Sequence, residues 1–288
     1  MAAPGERAAR VNYHDGPMDR YAVVGHPVSH SLSPRIHALF ARATGEALEY
    51  ATLEAPLDGF AAAMRAFFAG GARGANVTLP FKVEALSFAH SASERARVAG
   101  AANFLAARGS RIEADNTDGA GLVADLERNA GFAIRGRRIL ILGAGGAARG
   151  VIAPLLACAP AALVVANRTT ARARELEARF RSLGAVRGAD LASIPREGFE
   201  LVLNATSSSV HGDRLELPRA ALAQGALAYD MAYGKSAQAF VAAARAAGFR
   251  ACDGLGMLVE QAAESFELWR GTRPATAPVL EELAALRA

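Results

Sequence analysis

The chain predicts an α/β protein of two domains, and three observations carry that expectation. Short apolar runs alternate with amphipathic helical stretches almost from end to end, the pattern of βαβ units on largely parallel sheets. The length of 288 residues suits about two domains at the usual ~150 residues each. A glycine-rich turn, Gly143-Ala144-Gly145-Gly146-Ala147-Ala148, lies between an apolar strand and a helix. It predicts a Rossmann-type doubly wound parallel sheet in the second half.

Taken in order, residues 1–18 are polar and broken by Gly and Pro, without the apolar segment of a signal peptide, and read as a disordered extension. A buried strand follows over 21–25. Ser33-Pro34 reads as an N-cap with proline in the first helical turn, where its missing N–H costs nothing. The helix covers 35–43 and ends at Gly45. A strand over 48–53, a helix over 57–68 and a strand over 74–78 come next. Segments 103–107 and 112–115 flank Arg108-Gly-Ser-Arg111 as an antiparallel hairpin, and a helix over 119–129 leads to Gly131. The second series has strands over 138–142, 163–166, 200–203 and 227–230. The last 35 residues read as helical, with Met257, Leu258, Gln261, Ala262, Ser265, Phe266 and Trp269 on one stripe.

Composition excludes several functions. The hydrophobic fraction of 52% and charged fraction of 21% fit a compact chain with a sizeable core. The net charge of +4 is spread over mixed-sign helix faces, and aromatics are only 7%, so no nucleic-acid partner is expected. No apolar run reaches the ~18 residues of a membrane span, and a cytoplasmic location is expected. Cys158 and Cys252 have neither disulfide nor metal-ligand spacing and read as small buried residues. The histidines lack paired spacing, so no metal is expected, and His37 and His90 read as packing residues.

The glycine turn fits G-x-G-x-x-A. Gly143 permits the tight turn, Gly145 lets the backbone approach a pyrophosphate, and the last small position lets helix and strand pack closely. An NAD site would place an acid at the end of the next strand to hold the ribose 2′-hydroxyl. That position here reads Asn167-Arg168-Thr169, with Arg172 beyond. A guanidinium and short polar side chains suit a 2′-phosphate, so the expected cofactor is NADP. The competing reading, that Arg168 is there by composition, leaves the missing acid unexplained.

Of 32 basic side chains only Lys82 and Lys235 are lysine. Guanidinium stays charged at any working pH, so a position that keeps an amine in an Arg-biased chain is a candidate for proton transfer. The competing reading is a surface lysine. Lys82 closes Asn76-Val-Thr78-Leu-Pro80-Phe-Lys82, one of three polar clusters at strand ends. The others are Ser29-His-Ser31-Leu-Ser33 and Asp115-Asn116-Thr117-Asp118-Gly119. Hydroxyls, amides, one amine and a carboxylate suit a small polyhydroxy, carboxylated substrate. Asp118 beside Lys82 would orient the ammonium and share in a proton relay during carbonyl reduction.

These clusters resemble the shikimate dehydrogenase family. The matching motifs are Ser31-Leu-Ser33-Pro34, Asn76-Val-Thr78-x-Pro80-x-Lys82, Ala101-Ala-Asn103, Asn116-Thr-Asp118-Gly119 and Gly143-Ala-Gly-Gly-Ala147, then Asn167-Arg168-Thr169, Asn204-Ala-Thr206-Ser207 and Asp253-Gly254-Leu-Gly-Met257 with Gln261. They run in family order from about residue 20 to the C-terminus. The resemblance implies reversible NADPH-dependent reduction of 3-dehydroshikimate to shikimate in aromatic amino-acid biosynthesis. It implies that Ser31, Ser33, Thr78, Asn103 and Gln261 bind substrate, that Lys82 and Asp118 form the acid/base pair, and that Tyr233 closes over the substrate. It places the cofactor along Gly143, Ala144, Gly145, Gly146 and Ala147 and at Asn167, Arg168, Thr169, Arg172 and Thr206, with Met231 and Gly254 lining the nicotinamide pocket. It also implies a substrate domain of 19–118 with 255–288, a cofactor domain of 119–254, and a monomer or homodimer. Ser209 departs from the family's usual glycine. The alternatives are a quinate or aminoshikimate dehydrogenase and a non-catalytic NADP-binding sensor.

Overall fold

The computed structural model describes residues 18–206 and 216–286. Ser207, Ser209, His211 and the expected extension before Met18 lie outside the described residues. The first sheet contains β1 (Asp19–Gly25), β2 (Leu48–Glu54), β3 (Gly74–Val77), β4 (Ser91–Ala92), β5 (Phe104–Arg108) and β6 (Arg111–Asp115), in the order β2-β1-β3-β5-β6-β4. It is mixed rather than largely parallel. β1 pairs in parallel with β2 and β3, whereas β5 runs antiparallel to both β3 and β6. β5 and β6 form a hairpin through the two-residue Gly109-Ser110 turn, where Gly109 adopts φ 62 and Arg108 pairs with Arg111.

The second sheet contains β7 (Arg138–Leu142), β8 (Ala162–Asn167), β9 (Val186–Asp190), β10 (Phe199–Asn204), β11 (Leu222–Asp230) and β12 (Arg250–Cys252). Its order is β12-β11-β10-β7-β8-β9 with every pairing parallel. This is the dinucleotide-binding arrangement, with the strand order reversing between β7 and β10. Ile139 to Leu142 and Leu163 to Ala166 are buried without a break, because helices cover both faces.

The helices are α1 (Ser33–Thr44), α2 (Phe60–Ala69), α3 (Lys82–Phe88), α4 (Glu94–Ala99), α5 (Asp118–Ala124), α6 (Gly146–Ala157), α7 (Thr170–Phe180), α8 (Gln238–Ala246), α9 (Leu255–Arg270) and α10 (Ala277–Ala285). Ser33 is not the cap of α1: Leu32 is, and Ser33 is already helical beside Pro34. The helix expected over 119–129 changes character at Asp125–Asn129, where it widens into a π turn. There the buried Asp125 takes the Tyr229 hydroxyl at 2.6 Å and the Asn129 amide at 2.8 Å.

The chain's last long helix packs into the first half. Val259, Ala262, Ala263 and Phe266 of α9 share a core with Ile36, Phe40 and Ala41 of α1. Phe40 and Phe266 meet edge to face at 5.8 Å, and burying each ring stabilises by roughly 1.5–3 kcal/mol. Trp269 stacks on Phe104 at 4.9 Å and donates to the Leu105 carbonyl at 3.1 Å. α5 lies between α9 and α6. A methyl group at Gly121 would fall 2.6 Å from Gln261 Cβ, and one at Gly119 would fall 2.2 Å from Pro154 Cγ, so the small residues set this close approach.

Candidate active site

Three chain segments, 36 and 143 residues apart in sequence, converge at the start of α5: α3 brings Lys82, α5 brings Asp118 and α9 brings Gln261. Thr78 to Lys82 leave the end of β3 in a tight turn, with Thr78 N–H on the Val24 carbonyl at 2.8 Å and Phe81 N–H on the Thr78 carbonyl at 3.0 Å. Lys82 therefore opens α3 directly after this turn. Its Nζ lies 2.6 Å from Asp118 Oδ2, and the two side chains are 13% and 5% exposed. A pair so removed from water keeps its geometry, since breaking it would strand a buried charge. Asp118 Oδ1 accepts from Asn103 Nδ2 at 2.9 Å, and the Asp118 backbone N–H reaches Asn116 Oδ1 at 3.1 Å. Gln261 Oε1 stands 3.2 Å from the same Asn103 nitrogen, while its own Nε2 donates to the Leu258 carbonyl at 2.9 Å.

Ser31, Ser33 and Tyr233 come together at the start of α1. Ser31 Oγ accepts the Ser33 backbone N–H at 3.2 Å, which terminates α1 in place of a side-chain cap at Leu32. The Tyr233 hydroxyl accepts from Leu32 N–H at 3.4 Å across 201 residues of sequence, so the loop after β11 closes onto the serine loop. His26 N–H donates to the Leu79 carbonyl at 3.0 Å, tying the serine loop's start to the Thr78–Lys82 turn. Among the described residues neither Thr78 nor the two serines makes a direct side-chain bond to Lys82, whose amine goes to Asp118.

The glycine turn faces the pair. Gly143 has φ 104 and passes so close to β10 that a methyl there would lie 2.9 Å from the Ala205 carbonyl oxygen. A methyl at Gly146 would lie 3.6 Å from Lys82 Cβ, and one at Gly150 would lie 3.1 Å from Asp118 Oδ2. Lys82 and Asp118 thus rest on the first turns of α6. Space beside Gly145 is open, with no heavy atom within 4 Å of where a side chain would begin, so a pyrophosphate fits against the α6 N–H groups. At the same sheet edge, Asn204 Oδ1 accepts from the Thr206 hydroxyl at 2.8 Å, and Asn204 Nδ2 donates to Asp230 at 2.9 Å. Met231 and Gly254 are packed so tightly that a methyl on the glycine would lie 2.5 Å from the Met231 carbonyl oxygen. At the end of β8, Arg168 and Arg172 are exposed and enter no salt bridge among the described residues, whereas nearby Arg149 and Arg174 pair with Glu175 and Glu177. Two unpaired guanidinium groups fit an anionic 2′-phosphate.

Several contributors have no local signature. Arg95 grips Asp115 through Nε at 2.6 Å and Nη2 at 2.9 Å, and reaches Glu264 through Nη1 at 2.8 Å. Asp115 in turn accepts the Asn116 N–H at 2.7 Å, so one guanidinium braces both the Asn116–Asp118 loop and α9. Burial pushes Glu264 up, but hydrogen bonds from Arg95 and Arg273 outweigh it and hold the carboxyl below its usual range. Thr117 and Asn76 lie inside the motifs without a role from sequence, and Ser265 lies on the α9 stripe. Cys158 and Cys252 are free thiols, half-buried rather than fully inside, and burial pushes Cys252 up to about 12.

A parallel dinucleotide-binding sheet whose glycine turn abuts a buried ammonium–carboxylate pair, beside a second α/β sheet carrying hydroxyl and amide groups, defines a two-domain dehydrogenase. The family models agree in register: the shikimate dehydrogenase substrate binding domain matches residues 23–105, the shikimate / quinate 5-dehydrogenase model 126–232, and the shikimate 5'-dehydrogenase C-terminal domain 254–284. A shikimate dehydrogenase (NADP(+)) of Cupriavidus necator is 52% identical over 280 residues, covering 94% of this chain and 95% of that protein. One from Hahella chejuensis is 53% identical over 268 residues, with 92% and 98% covered. The solved structure of the Thermus thermophilus shikimate 5-dehydrogenase in complex with NADP(H) and shikimate superposes with a TM-score of 0.78 at 31% identity, over 92% of this chain and 98% of that one. The chain belongs to the shikimate dehydrogenase family.

Proposed function

We propose that the protein is an NADP-dependent shikimate dehydrogenase that interconverts 3-dehydroshikimate and shikimate in aromatic amino-acid biosynthesis. The observation that carries this reading is the Lys82–Asp118 pair, 2.6 Å apart and resting on the first turns of the helix that follows the glycine turn. Ser31, Ser33, Thr78, Asn103 and Gln261 hold the substrate's carboxylate and hydroxyls, and Tyr233 covers it. NADPH, held along Gly143 to Ala147 and at Asn167, Arg168, Thr169, Arg172 and Thr206, with Met231 and Gly254 lining its nicotinamide pocket, supplies the hydride. The ketone oxygen that becomes a hydroxyl must also gain a proton. Lys82 donates it as an ammonium, and Asp118 keeps that ammonium aimed at the oxygen and balances its charge. In the reverse direction the same amine takes the proton back. Low exposure of both groups strengthens this electrostatic guidance relative to water.

The substrate domain comprises 19–118 with 255–288 and the cofactor domain 119–254. The same reading has the enzyme act in the cytoplasm as a monomer or a homodimer. Initial rates with shikimate and quinate, each with NADP⁺ and NAD⁺, test the reading. The highest kcat/KM is expected for shikimate with NADP⁺. A preference for quinate would move the protein to the quinate branch of the family, and no rate with any pair would defeat the enzymatic reading.

A further inference from the structure

We propose that Thr117 is a positioning residue of the reaction, locking the Asn103 amide so that Asp118 turns one fixed carboxylate oxygen to Lys82. The inference rests on the function proposed above and adds a residue to its machinery. Three acceptors surround Asn103 Nδ2: Thr117 Oγ1 at 2.9 Å, Asp118 Oδ1 at 2.9 Å and Gln261 Oε1 at 3.2 Å. An amide nitrogen carries two hydrogens, so the acceptors compete. Thr117 decides the outcome twice.

Its backbone N–H, which can only donate, reaches Asn103 Oδ1 at 2.7 Å and so fixes which side of the amide faces Asp118. The direction of its hydroxyl follows from Ser265. Ser265 Oγ lies 2.9 Å from the Gln261 carbonyl, which can only accept, so the serine's single proton is committed there. Thr117 Oγ1 lies 3.1 Å from Ser265 Oγ, nearer than Gln261 Oε1 at 3.4 Å or Asn103 Oδ1 at 3.2 Å, which already takes the Thr117 backbone N–H, so the threonine hydroxyl donates to the serine and keeps its lone pairs for the Asn103 N–H. Asn76 Nδ2 supports the same arrangement, reaching Ser265 Oγ at 2.9 Å and the Asn103 carbonyl at 3.2 Å, while its Oδ1 accepts the Tyr50 hydroxyl at 2.8 Å. Protons thus run from Asn103 through Thr117 and Ser265 to the Gln261 carbonyl, which leaves the second Asn103 N–H for Asp118 Oδ1 and Oδ2 for Lys82. Asn76, Asn103, Thr117, Asp118, Gln261 and Ser265 are all buried, so bulk water does not replace a lost partner.

Without the Thr117 hydroxyl, the N–H it accepted has Gln261 Oε1 as its remaining acceptor. Turning toward it rotates the amide plane and carries the second N–H out of line with Asp118 Oδ1. Asp118 then presents either oxygen to Lys82, and the ammonium loses its fixed aim.

Thr117→Val deletes the hydroxyl at nearly constant volume. Its kcat for shikimate oxidation is expected to fall about tenfold, the rate equivalent of about 1.4 kcal/mol, with KM changed by less than about threefold. The pH profile of kcat should shift, NADP⁺ affinity by fluorescence titration should hold, and Thr117→Ser should restore both kcat and profile. A Val variant with normal kcat and an unmoved profile would overturn the proposal, as would one changed only in thermal midpoint. A Ser variant as impaired as the Val variant would overturn it too. Should Thr117→Val not fold, Thr117→Ala against Thr117→Ser offers the same contrast, both lacking the methyl. A wild-type enzyme inactive with shikimate would instead defeat the functional reading itself.

Discussion

Acidification from about pH 7 to about pH 5 should weaken this fold by about 2 kcal/mol through His37 alone. The imidazole lies on α1, wholly buried, stacked on Tyr50 at 4.0 Å and ringed by Phe40 at 6.0 Å, Trp269 at 5.6 Å and Phe266 at 6.2 Å. Among the described residues neither ring nitrogen has a hydrogen-bond partner of good geometry, and the nearby Asn76 side chain offsets the burial only in part. Tyr50 is the one titratable ring stacked on it, and burial pushes that phenol upward, so it offers no charge to steady an imidazolium. Burial accordingly lowers His37 from an ordinary 6.5 to about 3. The unfolded chain takes up a proton below 6.5, whereas the folded one refuses it until about 3, so stability falls as pH drops through that window and is fully present above it. At roughly 1.4 kcal/mol per unit below the unfolded value, pH 5 costs about 2 kcal/mol. Urea unfolding at both pH values, on wild type and His37→Phe, isolates this contribution from the carboxylates common to both chains. The phenylalanine variant should lose about 2 kcal/mol less on acidification. Equal losses in the two proteins would refute the reasoning.

Lys82→Ala should lower kcat at least ~10²-fold with substrate affinity less affected, as for a lost general acid/base, and near-normal turnover would contradict the assigned role. Replacing Arg168 with Glu should move preference from NADP⁺ toward NAD⁺ in side-by-side kinetics, because an acid repels the 2′-phosphate and suits a free 2′-hydroxyl. Arg95→Leu should cost about 2 kcal/mol in chemical denaturation, the worth of hydrogen bonds to charged groups, and should lower kcat by freeing the Asn116–Asp118 loop. Unchanged stability would mean that Asp115 and Glu264 find other partners.

The second sheet was legible because its strands are apolar along their whole length, as strands covered on both faces must be. β9 and β12 escaped for opposite reasons: Val186-Arg-Gly-Ala-Asp190 is polar and lies on an edge, and β12 is three residues long. α3 and α4, at seven and six residues, complete too few turns to show a helical period. In the site, the amine and the glycine turn had local signals, namely a rare lysine and a fingerprint between strand and helix. Arg95 had none, because its partners lie 20 and 169 residues away and it is one arginine in a chain full of them. The N-cap expected at Ser33 failed because Ser31 takes the free N–H of Ser33 itself, so helix geometry begins one residue sooner.

The way α9 comes back to finish the core of α1 has a bearing on synthesis. A ribosome releases Ile36 and Phe40 more than two hundred residues before Val259 and Phe266 exist to cover them. The emerging amino-terminal portion therefore exposes an oily helix face, a target for chaperones, until translation is nearly done. The Asp118 carboxylate waits as well, since α5 docks between α6 and α9 and has no settled position until α9 arrives.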